Sequence, residues 1–209
     1  EYRLRFAELV VKQNLQERCQ TSINPLEPDL GIHYDSHKFK NSKWKPTTVL
    51  EHFFPVSTAH SHYSADFDIE DYQNTDIEVV LETLFDDDRL HLTEKSLRPI
   101  ACAQPFILAG THGSLEYLRS YGFKTFSDIW NESYDLIQDS EERLISIAVL
   151  MKQISTWTPE QRANKLAQAQ LIADYNKKYF FSAEFFDRVV GELHHNLTMA
   201  LDELEHTNT

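Results

Sequence analysis

The chain has 209 residues, with 33 acidic against 20 basic side chains and a formal net charge of −13. That balance excludes a broad basic surface for polyanions, although a single phosphate pocket needs only local charge. At 41 % hydrophobic and 25 % charged, the composition is that of an ordinary globular protein with room for one full core. Apolar runs are only a few residues long, so neither a membrane span nor a signal segment is expected. Cys19 and Cys102 form neither a disulfide framework nor a metal spacing, and the reading is of a cytoplasmic protein.

From the N-terminus, Tyr2 to Arg18 carries Leu4, Phe6, Leu9, Val10 and Leu15 at helical spacing. Cys19 to Ile23 reads as a short strand, stopped by Asn24 and Pro25. Pro25 to Pro46 is polar and without period, a long ordered loop or lid that holds His33 and His37. Thr47 to Phe54 predicts a short helix closed by Pro55. Ser57 to Tyr72 contains His60, His62, Asp66, Asp68 and Asp71. Two alternating histidines on a strand would face one side and can ligate a metal, but no closed zinc-type ligand set accompanies them. A polar surface loop without metal is expected there.

The middle of the chain is the most patterned. Asp76 to Leu84 is an apolar run broken by Glu78 and Glu82, a buried strand ending in a carboxylate. Thr93 is an N-cap for a helix with Leu97, Ile100 and Ala101. Pro105 to Ala109 is a second strand, Gly110 to Gly113 a turn, and Ser114 opens a helix through Leu115 and Leu118 that Gly122 ends. Phe123 to Phe126 reads as extended again. Strand, helix, strand, helix, strand with short connections predicts a parallel α/β unit. Ligands of such sheets sit beyond the carboxyl ends of the strands, where Glu82, Thr93, Glu94, Lys95, Gly110, Thr111, Gly113 and Ser114 cluster. Helix N-termini with a nearby lysine favour anions, phosphates in particular, which suggests a nucleotide or sugar-nucleotide site. The alternative is that Glu94 and Lys95 are solvated first-turn residues and the glycines simply make turns. Asp86, Asp87 and Asp88 contain a D-x-D, but between a strand and a helix they read as a solvated acidic loop.

Two motif sets carry a resemblance. The stretch LTEKSLRPI (92–100), followed by QPFI (104–107), resembles Y-x-T-E-K-x-x-x-P-x-x-x-x-x-P-V in the donor-binding half of fucosyltransferase-like GT-B glycosyltransferases. In that family a Glu–Asn pair just upstream and the T-E-K surround the nucleotide of a sugar donor. Glu82 and Thr83 stand where the family has Glu–Asn, so half of that pair is missing. More of the chain is similar to a group of phage and bacterial proteins of unassigned activity. Their pattern T-E-K-x-x-x-P-I, P-F-I, S-L-x-x-L-R-x-x-G-F-x-T-F and E-x-Y-D is matched at Thr93–Ile100, Pro105–Ile107, Ser114–Phe126 and Glu132–Asp135. The resemblance implies a Rossmann-like parallel sheet forming a GT-B-like half, with no cofactor or catalytic metal. It implies Lys95 and Arg98 converging on a diphosphate, amides of Thr93 to Lys95 and Thr111 to Ser114 as further donors, and Glu82 or Glu94 accepting from ribose or sugar hydroxyls. Glu132, Tyr134 and Asp135 could border the site, or Trp130 and Tyr134 could simply pack onto the sheet. The catalytic base is not identifiable; His33, His37, His60 and His62 are the local candidates.

From Asp139 onward the pattern is helical. Asp139 with Glu142 makes a capping-box arrangement before Leu144, Ile147, Ala148, Met151 and Ile154. Thr158 and Pro159 open a second helix, and Ser182 or Ala183 a third through Phe185, Phe186, Val189, Leu193, Leu197 and Leu201. The division expected is an α/β domain over 1–138 and C-terminal helices over 139–209 that pack on it. Two functions of different class follow: a glycosyltransferase-like protein binding a nucleoside-diphosphate sugar, acceptor unknown, or a non-enzymatic phage-encoded module that oligomerises or binds a partner. Neither calls for a membrane or a broad nucleic-acid surface.

Overall fold

The computed structural model describes residues 1–27, 31–57 and 68–207, with side chains up to Asp202. His60, His62 and Asp66 lie outside the described residues. Among those described, the chain is mostly helical: α1 (Tyr2–Lys12), α2 (Ile69–Asn74), β1 (Glu78–Leu81), α3 (Glu94–Cys102), β2 (Phe106–Ala109), α4 (Ser114–Ser120), α5 (Ser140–Ser155), α6 (Pro159–Phe180) and α7 (Ala183–Thr207). No helix among them is long and apolar enough to cross a membrane.

The two strands pair in parallel, Glu78 opposite Phe106 and Leu81 opposite Ala109, with α3 as the crossover. All four residues of β2 are buried, as expected of a strand covered on both faces. The capping signals act where the sequence places them. Thr93 accepts from the Lys95 N–H, Asp139 from the Glu142 N–H, and Thr158 with Gln161 forms a complete capping box at α6. Helix α1 packs on α5, α3 on α6, and α5 behind β2, around a core that includes Phe85, Ile100, Phe126, Leu144 and Ile147.

The sheet is narrower than the Rossmann-like one expected. Phe123–Phe126 is not a strand. Its backbone is met by a side chain instead: Lys124 N–H donates to Asn176 Oδ1 (2.8 Å), and Asn176 Nδ2 donates back to the Lys124 carbonyl (2.9 Å). Asn176 sits on α6 and is wholly buried, so a helix takes the position a neighbouring strand would need. Phe123 and Phe126 both turn into the core, Phe126 against Phe106 and Trp130 (ring centroids 5.2 and 4.8 Å). The strand expected at Cys19–Ile23 reduces to one parallel bridge between Ile23 and Val56. The first helix stops at Lys12 rather than Arg18, where Asn14 adopts a left-handed conformation (φ 53°). The helix expected over Thr47–Phe54 is a 3-10 turn at Leu50–His52, and Ser127–Asp135 forms only a 3-10 turn at Ser133–Leu136. Conversely, the region read as polar loop ends in α2, whose N-cap Asp68 accepts from Glu70 N–H (2.9 Å).

Candidate functional site at the carboxyl ends of the strands

Glu82 continues β1 by one ladder bond, its N–H donating to the Ala109 carbonyl (3.0 Å). Its carboxylate is wholly buried and turns to the start of α3. There it accepts from Thr93 N–H (3.0 Å), Thr93 Oγ1 (2.6 Å), Ser96 Oγ (2.5 Å) and, at 3.3 Å, Thr83 N–H. A helix N-terminus presents unsatisfied N–H groups and positive partial charge, and here the chain's own carboxylate neutralises both. The first turn of α3 is thereby fixed with Glu94 and Lys95 left at the surface. Their side chains are 33 % and 27 % exposed and pair at 2.7 Å. That contact with Lys95 holds the Glu94 carboxyl below its ordinary value.

The Arg98 guanidinium lies 3.9 Å from Glu78, the first residue of β1, and its charge also helps to hold down the carboxyl of Glu94, one turn earlier on α3.

The glycine turn is built the same way. A Cβ on Gly110 would fall 2.6 Å from Ser114 Oγ, which donates to the Thr111 carbonyl (2.6 Å). Gly113 (φ 81°) precedes α4, and its N–H donates to the Asp135 carbonyl (3.0 Å). The buried Asp135 carboxylate accepts from Leu115 N–H (3.2 and 3.1 Å), so this helix start is also filled from within. Burial raises the Asp135 pKa, with the N–H groups of Leu115 and Glu116 opposing it. Glu132 accepts from Phe126 N–H (2.7 Å) and lies 3.6 Å from Arg119, which donates to Thr125 Oγ1 (3.0 Å). The R, T, E and D of the S-L-x-x-L-R-x-x-G-F-x-T-F and E-x-Y-D motifs thus hold one loop against α4. Trp130 and Tyr134 are both buried.

A polar cleft of about 520 Å³ opens at this edge, lined by the Asp86–Asp88 loop, Thr111, His112, Gln138, Ser140 and Arg143. Asp86 accepts from Asn41 Nδ2 (2.9 Å), Trp44 Nε1 (3.0 Å) and Ser140 Oγ (2.8 Å), tying the long loop and α5 to the rim. Asp87 is clasped by Arg89 through Nε and Nη2 (3.0 and 2.8 Å), and Thr111 Oγ1 donates to its carbonyl. The D-x-D is thus occupied at Asp86 by structural donors.

Arg143, absent from the sequence reading, is the buried floor of the cleft. Nε donates to the Gly110 carbonyl (3.1 Å), Nη1 to Ile137 and Gln138 (2.6 and 3.1 Å) and Nη2 to Phe85 (2.6 Å), with the guanidinium 4.6 Å from the Phe85 ring centroid. Its signal was a cation immediately before the apolar series Leu144, Ile147 and Ala148. His112 lines the same cleft from the turn that joins Gly110 to Gly113. His33 and His37 lie elsewhere. His33 contacts Glu51 (2.5 Å) and Asp35 (3.5 Å), and His37 lies 3.5 Å from Glu1. Neither lines the cleft.

No family model, curated protein or solved structure matches this chain.

Proposed function

We propose that the chain is a glycosyltransferase-like, Rossmann-type donor module that recognises a nucleoside-diphosphate sugar through the first turn of α3. The observation carrying this reading is the division of labour within the motifs. Glu82, Thr93, Ser96, Arg119, Thr125, Glu132 and Asp135 are committed to internal hydrogen bonds or ion pairs, while Glu94 and Lys95 keep charged heads at the surface. They stand beyond β1, on the side where parallel sheets bind ligands. Lys95 would meet the diphosphate after leaving Glu94, and Glu94 would then accept from a ribose or sugar hydroxyl. The diphosphate would sit beside the helix start and not on its axis, because Glu82 already occupies that position.

Replacing Lys95 by Ala removes a charge-assisted hydrogen bond worth about 1.5–3 kcal/mol, so donor affinity should fall on the order of ten- to a hundredfold. Calorimetry with uridine- and guanosine-diphosphate sugars on wild type and Lys95→Ala measures this. Equal affinities, or no binding by the wild type, would reject the reading.

A second reading, a non-enzymatic module that oligomerises or binds a partner, is favoured by one separate observation. The last helix turns its apolar side away from the rest of the chain, with Phe186, Leu193, Leu197 and Leu201 all exposed.

A further inference from the structure

We propose that α7 is a self-association helix, pairing antiparallel with α7 of a second copy of this chain. The proposal deepens the second reading above and is independent of donor binding. Helix α7 is mounted on the body by the face that carries Phe185, Arg188 and Glu192. Phe185 packs on Phe123 (ring centroids 5.1 Å), Arg188 donates to the Ser120 carbonyl, and Glu192 accepts from Tyr121 Oη (2.8 Å). At 100° per residue, Phe186, Val190, Leu193, Leu197 and Leu201 fall on the side turned away from those residues and are between 45 % and 66 % exposed, with Val189 at the border next to Phe185. A surface helix ordinarily turns such a stripe inward; this one turns it out.

Area, spacing and charge select a second copy as the occupant. The stripe presents on the order of 500–600 Å² of apolar side chain, and two stripes together approach the ~1,200 Å² at which stable interfaces begin. Val190 and Leu197 repeat at seven residues, as do Phe186, Leu193 and Ala200, the two-position seam of a helix pair. Set antiparallel about the level of His195, Leu193 meets Leu197 of the second copy and Val190 meets Ala200. On the flanks Asp187 meets Leu201, and His194 and Asn196 each meet their own equivalents, so no acidic pair is forced together. A parallel pair would instead place two bodies side by side, in chains that each carry a net charge of −13. A lipid surface is disfavoured, since Arg188 is the only Lys or Arg of the helix and is spent on the body.

Sedimentation equilibrium tests this on the whole chain. The wild type should sediment at twice its chain mass at roughly 50 µM. Leu193→Asn/Leu197→Asn should weaken association on the order of a hundredfold, about 2.7 kcal/mol. Leu197→Asn alone, beyond the last described contact with the body at Glu192, should weaken it on the order of tenfold. In a Cys19→Ser/Cys102→Ser background, His194→Cys should form a disulfide between copies and Phe186→Cys should not. A wild type that stays monomeric to about 200 µM, or a double variant that associates equally, overturns the proposal. So does crosslinking through Phe186→Cys in place of His194→Cys. A monomeric wild type that binds a leucine–lysine amphipathic peptide, with the binding lost in the double variant, would overturn self-pairing while keeping the partner-binding reading.

Discussion

Glu82 shows how a carboxylate at the end of a strand can serve the fold. Its two oxygens hold Thr93, Ser96 and Thr83, and Glu82→Ala would leave several buried donors without an acceptor. Losses of that kind cost about 3–5 kcal/mol, and each kcal/mol lowers Tm by about 2–4 °C in a chain of this size, so a drop on the order of 10 °C is expected. Lys95→Ala should move Tm by no more than about 4 °C, since its ion pair with Glu94 is a partly exposed contact worth about 0–1 kcal/mol. Thermal melts of the two variants separate the positions. An unchanged Tm for Glu82→Ala would mean that the capping geometry contributes little, and that Glu82 is free to serve a ligand.

At the scale of elements, α1 is fastened through Glu8, which is wholly buried and accepts from Thr47 N–H (2.9 Å), Thr48 Oγ1 (3.2 Å) and, in ion pairs, Arg5 and Lys12. Burial by itself would raise the pKa of Glu8. The donors from Thr47, Arg5 and Lys12 outweigh it and hold the group at about 2. A depressed carboxyl stabilises the fold above its unfolded pKa, and that stability is lost as the pH falls through the folded value. The Glu8 contribution, on the order of 3 kcal/mol, should be complete at pH 7 and decline between about pH 4.5 and pH 2. Asp135 and Glu132, both shifted upward by desolvation, work in the opposite direction, so the whole protein's acid response is a poor readout. The stability gap between wild type and Glu8→Gln isolates the effect: it should narrow as pH falls, and a constant gap would refute it. The spacing of Arg5, Glu8 and Lys12 on one helix is local, but the contacts from Thr47 and Thr48 were not visible in the sequence, because they meet Glu8 only in the fold. What was legible was local: the apolar runs of β1 and β2, the caps at Thr93, Asp139 and Thr158, and the turn at Gly122. Gly122 is left-handed (φ 92°), and a Cβ there would strike Tyr179 Oη at 2.6 Å. The third strand expected at Phe123–Phe126 is replaced by side-chain partners, Asn176, fifty-two residues beyond Lys124, for the Lys124 backbone and Glu132 for the Phe126 N–H. The sequence marks a carboxylate at a strand end without saying whether its partner is a ligand or the next helix.

For the molecule as a whole, the relation of α7 to the body decides how its apolar stripe should be understood. The described contacts of α7 with the body fall at Phe185, Arg188 and Glu192, and the leucines that follow are exposed. Stability of the body should therefore be insensitive to them. The tryptophans report on this directly, since Trp44 and Trp130 are buried in the core that surrounds the sheet. At about 1 µM, where a weak pair is largely dissociated by mass action, wild type and Leu193→Asn/Leu197→Asn should melt within about 2 °C of each other by tryptophan fluorescence. At higher concentration the wild type alone should rise, because association stabilises only the folded chain. Had the stripe been folded onto its own body, two buried leucines would be lost at about 2–5 kcal/mol each, and Tm would fall by about 10 °C or more at every concentration. A large drop that does not depend on concentration would show that the stripe belongs to the core, and would remove the surface on which both self-association and partner binding rest.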